Sequence, residues 1–453
     1  MPPDARSEAR SAAEIAWRDH FADPQLQATI AQALEHNRDL RVAVLRVLEA
    51  RAFYQIRRAD QFPSLDANAG AIRVRIPDDL SLTGSAGTLS VYSAGVSVVG
   101  WELDFWGRVR NLKEAALEQF LATDAARRAV TVSLVARVAD GYFTLRELDE
   151  RIRLARDTIR TREESLRIFN RRFKEGTTTR LDVAQVETLL TQAQTLGAQL
   201  EQARAEQAHA LTLLVGASPA GLAERANLDD AALMQELRVG LPSELLQERP
   251  DIVAAEHRLR AANADIGAAR AAFFPRITLT GFFGTASSAL DGLFGAGTRA
   301  WLFVPQLVAP IFDAGRRRAN VDLTEVRRDA AVADYERTIQ SAFRDVSDAL
   351  SAQRWLAKQV AIQQRALAAQ QERARLAQLR YDLGSGTFLE VLDAQRDLLS
   401  AEQVLVQLRR ALLSSRVALY AALGGGSQHY GEPPLPTSRY EAQQATPMTI
   451  DGP

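Results

Sequence analysis

Cysteine is absent from the 453 residues, which excludes disulfides, thiolate metal sites and cysteine nucleophiles at once. There are three methionines, too few for a methionine-based copper or silver relay. The five histidines, at 20, 36, 209, 257 and 429, are scattered, and none falls in HExxH or another ligand spacing. No serine sits in a nucleophile elbow. Gly384-Ser385-Gly386 is a short turn, with no Walker lysine or dinucleotide fingerprint after it. Charge of one sign is lacking too. A net charge of −1 and a pI near 6.6 leave no global field to draw nucleic acid or an acidic partner. The expectation is a protein with no catalytic residue, no cofactor and no metal.

Long apolar runs are also missing. A transmembrane helix needs about 18 or more consecutive apolar residues. The nearest candidate, Trp301 to Phe312, is shorter and contains Pro305 and Pro310. The opening Met1-Pro2-Pro3-Asp4 has no apolar signal core. Either the protein is cytosolic or an export signal is missing from this sequence. What is present is a folded composition, 47% hydrophobic and 25% charged. Glycine and proline cluster in a few places. Between them run long stretches of Ala, Leu, Arg, Gln and Glu, which are strong helix formers.

The chain contains itself twice. Arg38-Asp39-Leu40 matches Pro250-Asp251-Ile252, and Phe62-Pro63-Ser64-Leu65 matches Phe274-Pro275-Arg276-Ile277, both at an offset of 212. Further on the offset is 208: Gly107-Arg108 with Gly315-Arg316, Phe173 to Gly176 with Tyr381 to Gly384, Leu181-Asp182-Val183 with Leu389-Glu390-Val391, and Leu214 to Gly216 with Ala422 to Gly424. Composition can align Ala and Leu by chance, but it does not align Gly and Pro punctuation at a nearly constant offset. The offset changes between Pro63 and Gly107, where the sequence turns strand-like, so the copies differ there by loop length.

Each copy has four parts. A helix (about 24–62, then 250–274) is stopped by Phe-Pro. Two strand-like runs follow (about 64–76 and 90–105, then 276–287 and 299–312), joined through Gly84 to Gly87 or Gly292 to Gly297. Next comes a very long helix (108–174, then 316–383). After a glycine break comes a shorter helix (180–215, then 388–423), which ends at Gly216 or Gly424. The segment 1–23 is an N-terminal extension, 217–248 a connector between the copies (24–216 and 249–424), and 425–453 a Gly-, Pro-, Ser- and Gln-rich tail.

Val138, Leu145, Ile152, Ile159, Leu166 and Phe173 recur every seven residues, as do Ile339, Val346, Val360, Leu367, Ala374 and Tyr381 with Gln353 interrupting. That period predicts a coiled-coil seam. A helix of about 67 residues is roughly 100 Å long, and the two shorter helices of a copy, roughly 58 and 54 Å, match it end to end. In the strand-like runs, Trp101, Leu103 and Phe105 alternate with Glu102 and Asp104. Ile72, Val74 and Ile76 alternate with Arg73 and Arg75, and Ile277, Leu279, Gly281 and Phe283 with Thr278, Thr280, Phe282 and Gly284. Alternation over about ten residues fits a membrane strand and equally a half-buried soluble one. Four strands are too few to close a membrane barrel, which needs about eight, and lipid does not tolerate open edges. Several chains then share one barrel, or the sheet is small and soluble. A soluble coiled-coil scaffold is the reading from a different class, and it leaves the hairpins without a purpose.

Five segments resemble the TolC-like outer membrane efflux channels, specifically the NodT-type lipoprotein branch that serves resistance–nodulation–division pumps. They are Trp17-Arg18 through Phe21, Val99 to Arg108 (VGWELDFWGR), Phe303 to Arg316 (FVPQLVAPIFDAGR), Tyr381 to Gln395 (YDLGSGTFLEVLDAQ) and Leu419 to Gly426 (LYAALGGG). The resemblance covers about residues 15–426. It implies an α+β membrane protein: a homotrimer whose protomers each give four strands to a twelve-stranded outer membrane β-barrel, continuous with a periplasmic α-helical barrel. It also implies contact with outer membrane lipid, docking to a periplasmic adaptor protein and an inner membrane pump, and a passive role in drug or small-molecule efflux. A duct for protein secretion shares the same architecture.

By the same resemblance, the breaks at Gly176-Thr177 and Gly384-Ser385-Gly386 lie at the periplasmic tip, where the adaptor docks. Tyr381, Leu389, Glu390, Asp393, Arg396 and Asp182 surround the gate. Glu390 and Asp393 share one helical face and would form rings of carboxylates in a trimer. Arg396 pairs with Asp393 or Asp182, and Leu389 matches an apolar ring position. Some relatives carry arginine at the position of Gly386, so that lock is absent. The branch often has a lipidated N-terminal cysteine, and with no cysteine here acylation is not inferred. Asp182 faces Glu390 across the duplication, but Asp393 has only Gln185, which places the gate in the second copy.

Overall fold

The computed structural model describes residues 11–77, 79, 86–219 and 242–431. Most of the connector expected at 217–248, most of the tail at 425–453 and part of the extension at 1–23 lie outside these. So do Gly84 and Ser85 of the first hairpin. The elements run α1 (Trp17–His20), α2 (Pro24–His36), α3 (Arg38–Ala59), β1 (Asp66–Ile76), β2 (Gly87–Glu102), α4 (Arg108–Lys174) and α5 (Arg180–Val215). They continue with α6 (Pro242–Glu248), α7 (Pro250–Ala271), β3 (Arg276–Ser287), β4 (Arg299–Val308), α8 (Arg316–Asp382) and α9 (Phe388–Ala422). Among the described residues no helix is long and apolar enough to cross a membrane. The chain divides into two compact units, one of residues 1–45, 124–253 and 337–453, the other of 46–123 and 254–336.

In the first unit, the expected single helix over 24–62 is broken at Asn37. Asparagine wins over continuity because its side chain serves both sides of the break. Its Oδ1 accepts from Leu40 N (2.7 Å), capping α3, and its Nδ2 donates to Leu214 O (2.7 Å) at the end of α5. The second copy repeats the joint with different chemistry. Arg249 stands between α6 and α7, and its Nη1 donates to Ala422 O (3.0 Å) at the end of α9. Arg249 is held in turn by Asp251 (2.6 Å) and Asp345 (3.4 Å). The glycines that end α5 and α9 belong to these joints. Gly216 and Gly424 have φ of 79° and 76°, so they suit a helix stop. They also let the backbone pass close, since a Cβ on Gly216 would strike His36 O and one on Gly424 would stand 2.9 Å from Glu248 O.

The core of this unit gathers Trp17, Phe21, Leu26 and Ile30 against Leu134, Val138, Tyr142 and Leu145 of α4, with Leu211 of α5 and Leu413 of α9. Below it on α4 comes a buried charged layer. Asp149 takes Arg146 (3.3 Å) and Arg204 of α5 (2.5 Å), while Glu147 takes Arg151 (3.0 Å) and Arg410 of α9 (2.8 Å). Buried ion pairs add little net stability, but they penalise any register that separates them. The heptad stripe of α4 is buried at Val138, Leu145 and Ile152, half-buried at Ile159 and Leu166, and exposed at Phe173. An untwisted helix drifts roughly 20° per heptad against a seven-residue repeat, so burial passes from Phe173 to Phe169 near the helix end. The stripe of α8 is different. Among its hydrophobic residues only Ala342, Val346 and Ala349 are buried, and Val360, Leu367, Ala374 and Tyr381 are left half-covered.

The second unit holds one four-stranded antiparallel sheet in the order β1-β2-β3-β4. Two strands stop short of their expected ends. β2 stops at Glu102, and Leu103 to Phe105 are not strand, because Asp104 turns to cap α4 by accepting from Val109 N (3.0 Å) and Arg110 N (2.8 Å). β4 stops at Val308, ahead of Pro310, and Asp313 caps α8 in the same way through Arg317 N (3.0 Å). At this end of the sheet Trp106 donates to Pro275 O (2.7 Å) and stacks on Phe274 at 4.8 Å.

One buried group makes the first unit sensitive to acid. His20 is 1% exposed, stacks on Tyr420 at 4.3 Å, and among the described residues has no hydrogen-bond partner on either ring nitrogen. Burial pushes its pKa down to about 4. The unfolded chain therefore takes up a proton below about 6.5 that the folded chain refuses, and stability falls as pH drops from about 6.5 towards 4. At pH 5 this loss is about 2 kcal/mol. Comparing unfolding of the wild type and His20→Phe at pH 7.5 and pH 5 checks it: the wild type should lose that much more than the variant, and parallel losses would refute the assignment.

Candidate functional site

The residues singled out at the ends of the long helices come together in the first unit. Both helix ends are Schellman turns. Gly176, at φ 73°, donates to Phe173 O (3.0 Å) and Thr177 N to Arg172 O (2.8 Å). Gly384, at φ 72°, donates to Tyr381 O (2.9 Å) and Ser385 N to Arg380 O (2.8 Å). Each turn feeds a threonine N-cap, Thr179 for α5 and Thr387 for α9.

The two copies then part. Asp182 closes a capping box: its carboxylate accepts from Thr179 N (2.9 Å), Thr179 Oγ1 (2.6 Å) and Thr178 Oγ1 (2.9 Å). The bonds from Thr179 and then Thr178 hold its pKa below the usual carboxylate range. Asp182 is thus committed to its own helix, and the expected alternative pairing with Arg396 is not formed. Arg396 sits instead with Asp393 (3.3 Å) and Asp397 (3.1 Å). Glu390 donates its backbone N–H to Thr387 but sends its carboxylate across to Arg380 of α8 (3.1 Å). Gly386 lies under that bridge, and a Cβ there would stand 3.1 Å from Arg380 Cβ. Arg380 reaches Glu390 over Gly386, whose missing side chain leaves it room. A second bridge joins the same helices between Arg373 and Asp397 (2.6 Å), and the Arg373 hydrogen bond holds Asp397 below its usual range.

Below the charges is an apolar staple joining the copies. Phe169 of α4, Val183 and Val186 of α5, and Leu392 of α9 are buried together, with Tyr381 and Phe388 packed against them. Phe388 lies 4.2 Å from the Phe169 ring and 5.0 Å from that of Tyr381. Arg172 donates to the Tyr381 hydroxyl (2.5 Å) and covers the Phe169 ring. Leu181 and Leu389 stay outside this cluster, 67% and 51% exposed. Sequence reading named Tyr381, Glu390, Asp393 and Arg396 of this arrangement and did not name Arg172, Arg380, Arg373, Asp397, Phe169 and Phe388. The duplication carried a signal for two of these, since Arg172 and Arg380 occupy the same place in each copy. Among the described residues no cluster of His, Asp or Glu could hold a metal.

Comparison with known proteins gives this geometry a setting. The profile of the outer membrane efflux protein family matches residues 29–217 and 241–425. The chain is 45% identical over 417 residues to the probable efflux pump outer membrane protein TtgC of Pseudomonas putida, covering 92% of this chain and 86% of the relative. It is 43% identical over 411 residues to the outer membrane protein OprJ of Pseudomonas aeruginosa, covering 90% and 86%. Among solved structures, the open-state MtrE outer membrane channel of Neisseria gonorrhoeae superposes with a TM-score of 0.82 at 40% identity, covering 92% of each chain. A membrane protein from Pseudomonas aeruginosa superposes with a TM-score of 0.87 at 41% identity, covering 94% of this chain and 96% of that one. The scaffold reading is thereby set aside: the chain belongs to the outer membrane efflux protein family and is an outer membrane channel component of an efflux pump, with its helical part in the periplasm.

Proposed function

We propose that the chain forms a homotrimeric passive duct for small molecules, with no enzymatic activity of its own, gated at the turns that join α4 to α5 and α8 to α9. Two features support a shared assembly. The four strands leave β1 and β4 with an unpaired edge each, which lipid does not tolerate. The seam of α8 is half-covered within one chain. Three chains closing a twelve-stranded barrel would satisfy both. A periplasmic adaptor docks on the turns around Gly176, Thr177, Gly384, Ser385 and Gly386, and an inner membrane resistance–nodulation–division pump supplies the energy. The cargo is a small apolar or amphiphilic molecule; relatives are named for toluene and antibiotic efflux. The segments 24–216 and 249–424 descend from one duplicated unit.

The observation that carries the gate is the inequality of the copies. Asp182 is spent on its helix cap, whereas Glu390 and Asp393 keep exposed carboxylates bridged by single arginines. Exposed pairs of this kind are worth about 0–1 kcal/mol each, so they can break and re-form as the tip opens. With Asp393 and Asp397 on the same few turns, three chains would ring the entrance with acid and favour cations.

Single-channel recording in a planar bilayer tests this. Glu390→Gln with Asp393→Asn should lower the cation-to-anion permeability ratio at least twofold, and an unchanged reversal potential would reject the acidic ring. Phe388→Ala should loosen the staple by on the order of 2 kcal/mol and raise the resting conductance. A resting conductance equal to that of the wild type would show that the Phe169–Phe388 contact does not hold the tip shut. Recovery of the protein as a soluble elongated dimer would overturn the duct itself.

A further inference from the structure

The register of the sheet sorts its side chains onto two faces. One face carries Val96, Leu279, Phe283, Trp301, Phe303 and Leu307, an apolar band that is largely exposed in the single chain. The opposite face carries Asn68, Ser97, Thr278, Thr280 and Gln306 with apolar Ile72, Val74, Leu302 and Val304 among them, and it holds the only carboxylates of the strands, Asp66 and Glu102. The apolar face is the one that meets lipid and the polar face lines the lumen.

The lipid face does not stay apolar along its whole length. The helices attach at the end marked by Asp66, Glu102, Arg276 and Val308, which is the periplasmic end. Strands crossing a bilayer take about 9–11 residues. Counting up β2 from Glu102, that span reaches Tyr92, an aromatic suited to the outer interface. Beyond it the same face continues as Arg73 opposite Ser90 and Arg75 opposite Thr88. β4 is 10 residues long, and its outermost residue is Arg299, opposite Thr285 and on the same face. Alternation read from β1 alone would have turned Ile72, Val74 and Ile76 towards lipid, but pairing through β2 and β3 puts Arg73 and Arg75 there instead.

All three arginines are exposed, and among the described residues none has an ion-pair or hydrogen-bond partner. No carboxylate shares their face of the sheet. Closing the barrel would bring Arg299 of one chain to the edge strand that carries Arg73 and Arg75 of the next. Three like charges gathered on one face repel one another unless an anion lies between them. Guanidinium groups bind phosphate in bidentate fashion and lie here where lipid headgroups lie.

We propose that Arg73, Arg75 and Arg299 form a binding surface for the phosphate groups of a phosphorylated glycolipid in the outer leaflet, of the lipid A type. Serine and threonine hydroxyls at 88, 90 and 285 complete the polar rim, and Tyr92 marks the level at which acyl chains give way to headgroups. The surface anchors the barrel vertically and fixes its rotation against a leaflet whose charge is concentrated in phosphates. It rests on the reading of the sheet as part of a closed outer membrane barrel.

The test uses the full-length protein reconstituted into phosphatidylcholine nanodiscs containing bisphosphorylated lipid A, dephosphorylated lipid A or neither, with bound lipid counted by native mass spectrometry. The wild type should retain bisphosphorylated lipid A at least tenfold more strongly than the dephosphorylated form. Arg73→Gln/Arg75→Gln/Arg299→Gln should lose that preference while keeping the oligomer and conductance of the wild type. A variant that keeps the preference, or a wild type indifferent to the phosphates, overturns the inference and leaves the channel reading standing. Displacement of lipid A by millimolar inorganic phosphate would make this a free-anion site and overturn the lipid assignment. Failure of the wild type to insert into bilayers would overturn the barrel, and this surface with it.

Discussion

Every peptide group within a bilayer must find its hydrogen bond inside protein, and this chain does not meet that demand alone. Among the described residues four strands pair in order and leave one edge of β1 and one of β4 open. Much else in the molecule follows from that debt. The hairpins are short and cannot fold back to close a barrel by themselves. The long helices run from the sheet ends, and α8 carries a seam that its own chain covers poorly. A single protomer is therefore incomplete in two places at once, in its strands and in its helices.

The two halves repeat one another in local detail. The same Schellman turn, the same threonine cap and the same glycine-backed joint occur in each half. The proposed gate lies where the halves stop agreeing. One copy closes its cap with Asp182 and is finished; the other frees Glu390 to reach Arg380 and adds Asp393 and Asp397 beside Arg396. The apolar staple then joins the two ends, since Phe169 belongs to the first half and Phe388 to the second.

Much of this was legible in the sequence. Helix and strand periods, the Phe-Pro stops and the glycine breaks place the long elements within a few residues of where they lie, except the first helix, which is two. What was not legible has local causes. Asn37 and Asp104 read as ordinary members of a helix and a strand, because a cap is defined by the backbone it serves and not by its own periodicity. The heptad stripe ran on to Phe173 in the sequence, but a helix that does not supercoil tightly rotates it away, and Phe169 takes its place. Of the candidate site, Glu390, Asp393 and Arg396 were visible, and Asp397 and the arginines of α8 were not. Arg373 and Arg380 sit among many arginines on α8, and only packing against α9 distinguishes them.

The two joints at the ends of α5 and α9 close the same gap with unlike chemistry. Asn37 does so with neutral hydrogen bonds, and Arg249 with a cation shared between Asp251 and Asp345. Neutral bonds leave no charge behind when one partner is lost, whereas a buried guanidinium stripped of its carboxylates costs on the order of 3–5 kcal/mol. The two joints therefore answer differently to a change at a single side chain. Loss of Asp251 leaves a buried cation poorly paired at the end of α9, while loss of Asn37 leaves only neutral backbone groups unpaired at the end of α5.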